Sequence, residues 1–450
     1  MKKQMPKQKI ILAIISLVIT LFVWQQGLKD SLERPSVVFD ISQKEIEITE
    51  LALPSIPKDL KKLLSNNPSD DMRFALSKVG FEKLTDRSKL ISIILSRESD
   101  EINNELVNQL DNEIYKDAIE NIIKGNLDDS FKPSEEFFYQ FRNDRYLYHL
   151  LSKNFGYDET KFIPLRTSQI MFLKLIIIRL IPLLTILIGS SLLLKNLWNL
   201  LKSKSIQWKE FTPLKLDLID MVLLISGGFV VLGEVFSPLL SITIIDFFSK
   251  DLSPDISQSL KIFFGYIFMA LPPLFIVFKQ IKFIDKEFIL KKDYFQFNFK
   301  PISKGLLDGI RGWIMIIPIV LLTSLVMNYF IENQMGSNPL LEIVLNNNNY
   351  FAFLILFITT TLLAPIFEEI IFRGVLLPIL SRDFGKIIGI LFSSFIFALA
   401  HLSFSEFPPL FILGIGLACT RLISGRLISS VVMHSLWNGL TFLNLFLLRT

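Results

Sequence analysis

Apolar and polar residues are laid out along this chain in blocks. Ile10–Trp24 is apolar and follows Lys2, Lys3, Lys7 and Lys9, and residues 28–165 are polar and charged. From Ile170 onward eight apolar segments follow, at about 170–194, 217–245, 259–278, 310–331, 350–380, 387–404, 408–423 and 427–447. Several approach or exceed the roughly 20 apolar residues that a helix needs to cross a bilayer. The pattern predicts an all-α integral membrane protein. An eight-helix transmembrane core over 166–450 is preceded by an N-terminal membrane anchor (1–27) and a helical soluble domain (28–165).

Within the polar block, Ile102, Leu106, Leu110 and Ile114 recur every fourth residue, the spacing of an amphipathic helix. Lys132-Pro133-Ser134-Glu135-Glu136 carries a helix start and Gly156 a stop. No alternating pattern suggests a strand, and no catalytic motif occurs there. His149 is expected at the surface or partly buried. The anchor resembles a signal peptide in layout, but Trp24-Gln25-Gln26-Gly27 is a poor cleavage site, so the segment is expected to stay attached.

Composition sharpens the membrane assignment: 51% of residues are hydrophobic, and mean hydropathy is +0.46. The net charge of +4 hides a partition, since residues 28–165 carry 19 Lys/Arg against 26 Asp/Glu and the remainder 28 against 17. Basic residues concentrate in alternate loops. Lys195, Lys202, Lys204 and Lys209 follow the first core segment; Lys279, Lys282, Lys286, Lys291 and Lys292 follow the third. Arg382 and Lys386 follow the fifth, and Arg421 and Arg426 end the seventh. The positive-inside rule then puts the N-terminus in the cytoplasm and the acidic domain outside. Nothing pairs a basic cluster with an exposed aromatic platform, so nucleic acid is excluded as a partner. The lone Cys419 excludes an internal disulfide and paired-cysteine metal sites.

Candidate chemistry lies near the C-terminus. Two of the chain's three histidines and a pair of glutamates fall inside apolar segments, in Glu368-Glu369-x-x-x-Arg373, Phe397-x-x-x-His401 and His434-x-x-x-Asn438. Ionisable groups at membrane depth are costly and mark functional sites by default. Arg373 is four residues from Glu369, which sets up an ion pair on one helix face. Glu368 points elsewhere and is free to work. Pro365 loosens the helix just before it. One carboxylate and two imidazoles (Glu368, His401, His434) could bind a divalent metal such as zinc, with water as a fourth ligand. Equally, Glu368 could act without metal as a general base on water, with the histidines and Asn438 as donors to the developing oxyanion. Elsewhere, Lys174 and Arg179 are expected to snorkel or pair with another helix, and Glu234 to be a hydrogen-bonded packing residue. A GxSxG elbow, a phosphate loop and an HExxH motif are all missing.

In this order, Glu368-Glu369-Ile370-Ile371-Phe372-Arg373-Gly374, Phe397-Ala398-Leu399-Ala400-His401 and His434-Ser435-Leu436-Trp437-Asn438 resemble the CPBP family of intramembrane proteases. That family groups CAAX prenyl endopeptidases with bacterial Abi-type, bacteriocin-processing and self-immunity proteins. The resemblance covers roughly 350–445. It implies an endopeptidase in which Glu368 activates water, Glu369 and Arg373 support it, and His401, His434 and Asn438 complete the site. The expected substrate is a membrane-associated peptide or protein, in a bacterial inner or internal membrane. A non-catalytic immunity or scaffold protein retaining the motif is the alternative, and the partner of residues 28–165 is left open.

Overall fold

The computed structural model describes residues 7–34, 37–64, 67–96, 110–127, 130–157, 163–202, 206–211, 215–284, 295–331, 339–347 and 349–449. Ile102 and Leu106 of the expected amphipathic helix, and Lys204, Lys286, Lys291 and Lys292 of the basic loops, lie outside these residues. Among the described residues every regular element is helical. The chain falls into two compact units, Met1–Val37 with Leu183–Leu443, and Val38–Pro182 with Asn444–Thr450.

In chain order, α1 is Lys7–Glu33. The smaller unit holds α2 (Val38–Ala52), α3 (Lys58–Leu64), α4 (Pro68–Val79), α5 (Asp86–Leu95), α6 (Glu113–Leu127), α7 (Glu135–Tyr139) and α8 (Arg145–Asn154). Its helices start where side chains satisfy the otherwise unpaired first N–H groups. Thr85 accepts from the Ser88 N–H, Ser134 from Phe137 and Asp144 from Leu147. Gly156, at φ +70°, follows α8 as the stop signal predicts. Apolar faces converge on a core that includes Ile48, Leu51, Met72, Leu90, Ile119 and Leu147. His149 departs from expectation. It is 3% exposed, with Nε2 3.7 Å from Glu50 Oε1, because α8 turns it inward with Tyr146 and Leu150.

Then come α9 (Leu165–Leu201), α10 (Leu218–Ser249), α11 (Pro254–Ile284), α12 (Ile302–Ile331), α13 (Pro339–Asn346), α14 (Tyr350–Phe384), α15 (Lys386–Leu399), α16 (Phe407–Ser424) and α17 (Leu427–Leu447). Among the described residues seven helices are long and apolar enough to cross a membrane: α1, α9, α10, α11, α12, α14 and α16. With these helices, the protein is an integral membrane protein. Helix α15 has 14 residues and stops at Leu399, short of the expected end of its segment. In α17, His434, Asn438 and Asn444 dilute the apolar character.

Helix α1 is packed within the larger unit, against the π-helical stretch Leu223–Phe236 of α10. Lys9 Nζ lies 2.9 Å from Asp220 Oδ1, the Thr20 hydroxyl donates to the Ser226 carbonyl at 3.3 Å, and Trp24 is buried. Trp24 joins Phe229, Phe367, Phe372, Phe397 and Met433 in one apolar core. Lys174 and Arg179 are paired within the smaller unit, Lys174 to the Arg449 carbonyl at 2.5 Å and Arg179 to Glu45 at 2.8 Å. Glu234 is buried beside Trp24, with its Oε2 left without a hydrogen-bond partner.

Candidate active site

Helix α14 carries the two glutamates, and its backbone is not uniform. Thr359–Leu363 and Ile370–Leu376 are π-helical, on either side of the α-helical turn Ala364–Glu369. Such wide turns are rare and recur at functional sites. Here Pro365 accounts for the first. The Ala364 N–H reaches back five residues to the Thr359 carbonyl. The next bond in that register would join residue 365 to Thr360, and proline has no N–H to give. The freed Thr360 carbonyl accepts from Asn438 Nδ2 at 2.9 Å. Asn438 therefore satisfies a carbonyl that the helix itself leaves open.

Glu369 and Arg373 are fully buried and form the i,i+4 pair that their spacing predicts, with Arg373 Nη1 donating to Glu369 Oε1 at 2.9 Å. Arg373 Nη2 also donates to the Gly414 carbonyl at 3.3 Å, and its guanidinium stacks 4.2 Å from the Phe397 ring centroid. A buried carboxylate is tolerable when a cation and hydrogen bonds compensate it. The His434 Nδ1–H supplies a further donor to Glu369 Oε1, at 3.0 Å. With Nδ1 so committed, neutral His434 presents a lone pair at Nε2.

His434 reaches this position because α17 lies close against α12. A Cβ on Gly309 would come within 2.7 Å of the Ser429 carbonyl, and one on Gly312 within 3.0 Å of Met433 Sδ. Glycine at these positions lets two membrane helices approach closely.

Glu368 faces the other side of His434. Its Oε1 accepts from the Tyr266 hydroxyl at 2.9 Å, and its Oε2, 3.9 Å from His434 Nε2, has no hydrogen-bond partner. Tyr266 on α11 went unnoticed in the sequence. The available signal is that it is the only hydrogen-bonding side chain between Lys261 and Lys279.

His401 lies two residues beyond the end of α15. Its Nδ1–H donates to the Phe397 carbonyl at 2.8 Å, and the two rings are 4.8 Å apart. The Phe397 ring also lies 5.6 Å from His434, so both imidazoles and Arg373 surround one aromatic side chain. The structure thus gathers Glu368, Glu369, Arg373 and His434 in direct contact or near it, joins His401 through Phe397, and sets Asn438 on Thr360. In both histidines Nδ1 is held and Nε2 is left, an arrangement common in metal-binding imidazoles. Even so, no group of three or more His, Cys, Asp or Glu among the described residues is arranged to hold a metal ion. As placed, Glu368, His401 and His434 do not fit the tetrahedral ligand set.

Residues 350–440 match the family model described as Type II CAAX prenyl endopeptidase Rce1-like, the family to which the three motifs point. All six candidate residues on α14–α17 and their connections lie inside that match, and Tyr266 lies outside it. Residues 38–173 match the model of a domain of unknown function. No curated protein and no solved structure matches the chain.

Proposed function

We propose that the protein is an intramembrane endopeptidase that hydrolyses a peptide bond in or near the bilayer, with Glu368 as the base that activates water. One observation carries this reading. A carboxylate oxygen and an imidazole nitrogen face each other across 3.9 Å, and that oxygen has no protein partner. The attacking water is placed beside this pair rather than between its members, donating to Glu368 Oε2 and to His434 Nε2. As the water oxygen attacks the scissile carbonyl carbon, Glu368 takes its proton and later returns it to the departing amine nitrogen. Tyr266 holds the other oxygen of Glu368, which limits the carboxylate to one orientation.

Glu369 and Arg373 act through His434. A charged Glu369 accepting from Nδ1 fixes the tautomer and favours an imidazolium as positive charge becomes useful. His434 and His401 can donate from Nε2 to the oxyanion only when protonated, whereas Asn438 keeps a second amide N–H for that purpose. The substrate is a membrane-associated peptide or protein. The N-terminus is cytoplasmic, and residues 28–165 face the opposite side, where they present the substrate or bind a partner.

The test is cleavage of a membrane-associated peptide by the purified protein in detergent or vesicles. Glu368→Gln is expected to abolish cleavage while leaving the melting temperature in place. Retained cleavage in that variant excludes Glu368 as the base. Rates are expected to be the same with and without chelator.

A further inference from the structure

His401 is the only candidate residue outside a helix, so something other than helical geometry must hold its ring. The turn that follows it is tied to the far end of the chain. Leu402 adopts φ +48°, a left-handed conformation that a branched side chain rarely takes unless its surroundings impose it. Three contacts from the last turns of α1 and its C-terminal flank meet this turn. Arg34 Nη2 donates to the Leu402 carbonyl at 3.3 Å and to the Gly27 carbonyl at 3.2 Å, joining the end of α1 to the turn. The Phe404 N–H donates to the Ser31 hydroxyl at 3.2 Å. Gly27 lies under the Leu402 side chain, where a Cβ would come within 2.7 Å of Cδ1. Gly27, Ser31 and Arg34 are therefore spaced along one face of α1 and its flank, and all three bear on residues 402–404.

We propose that the end of α1 is a positioning element of the hydrolytic site: Arg34, Ser31 and Gly27 hold the Leu402–Phe404 turn so that His401 stays on Phe397 with its Nε2 presented. This rests on the endopeptidase reading for its consequence, and on geometry alone for the tether itself. Arg34 is a positioning residue, since it reaches the imidazole only through the backbone of residue 402. The guanidinium suits the task because a planar group with several N–H donors can bridge two carbonyls at once. The first helix then does more than attach the chain to a membrane: it adds two hydrogen bonds and one close packing contact to the turn that holds Leu402.

The chain's three histidines make this directly measurable, because protein labelled at histidine with nitrogen-15 gives one set of ring signals each for His149, His401 and His434. Arg34→Ala is expected to shift the His401 ring signals while those of His149 and His434 stay in place. In the same variant kcat for peptide cleavage should fall about tenfold with KM little changed, as expected when a catalytic group is misplaced rather than removed. Arg34→Lys, which keeps one charged donor, should restore part of both. Unchanged His401 signals and unchanged kcat in Arg34→Ala would overturn the proposal. If all three sets of signals collapse, the variant has unfolded, and Ser31→Ala, which removes a single hydroxyl, decides by the same two readouts. Loss of cleavage in Glu368→Gln is independent of either result. A protein with no peptidase activity at all would fail the functional reading and still show whether Arg34 holds His401.

Discussion

Each unit of this protein buries a cluster built from the same residue types: carboxylates, a histidine and a cation. In the smaller unit the carboxylates of the cluster are closed, although His149 Nδ1 and the Tyr146 hydroxyl are buried without hydrogen-bond partners. Arg87 bridges Glu47 and Asp144 with four hydrogen bonds, and Gln43 and Lys44 also donate to Glu47. Glu50 accepts from Lys153 at 2.9 Å and from the Ser69 hydroxyl at 3.4 Å, with His149 nearby. In the larger unit the cluster is open, since Glu368 and Glu369 each keep a buried oxygen without a partner. A closed cluster holds helices together. An open one retains an acceptor for something else, and the unmet demand of a buried charge is what makes a site.

The largest expected effect tests the open side of this contrast. Glu368→Gln should reduce kcat by about 10²–10⁴-fold, the range for loss of a general base, with no loss of thermal stability. Removing the cation beside it acts differently. Arg373→Ala leaves Glu369 buried with only the His434 hydrogen bond and no cation, so the larger unit should lose about 3–5 kcal/mol, read as a lower melting temperature in detergent. In the closed cluster Arg87→Ala should cost about 2 kcal/mol, less because its side chain is 20% exposed. It should leave kcat unaltered, and a fall in kcat would blur the distinction between the clusters. Tyr266→Phe removes one donor from Glu368 and should lower kcat about tenfold, as a hydrogen bond to a charged group implies.

Acid gives the smallest effect and acts on the closed cluster. Burial opposes ionisation of Glu50, but His149 close by and the hydrogen bond and charge of Lys153 outweigh it and hold its carboxyl below the usual range. Asp144 is held low in the same way, burial being outweighed by Arg87. A folded pKa below the unfolded one means that the stabilisation is complete above the ordinary carboxylate range and is lost as pH falls through the depressed value. Hydrogen exchange over residues 38–182 should therefore quicken progressively below about pH 4, and Glu50→Gln should flatten part of that dependence.

The residues that matter in the larger unit were legible to different degrees, and distance along the chain explains the differences. The Glu369–Arg373 pair is local, four residues apart on one helix, and its spacing alone predicts it. Phe397 and His401 share a face for the same reason, although α15 ends between them. The choice of Glu369 as the partner of His434 Nδ1 spans 65 residues and depends on how α17 is rotated against α14. Tyr266 reaches Glu368 across 102 residues, and no periodicity reports that.

What the sequence determined by itself was the membrane class, the helical content and the identity of the chemical groups, because apolar length and local spacing act within a few turns. The tertiary structure alone decided which partner each carboxylate meets and which of its oxygens is left open. It also decided that Asn438 serves the carbonyl freed by Pro365, and that α1 reaches the turn after His401. Each of these depends on the approach of distant backbones, set by small residues such as Gly27 and Gly309 whose effect appears only when another helix arrives.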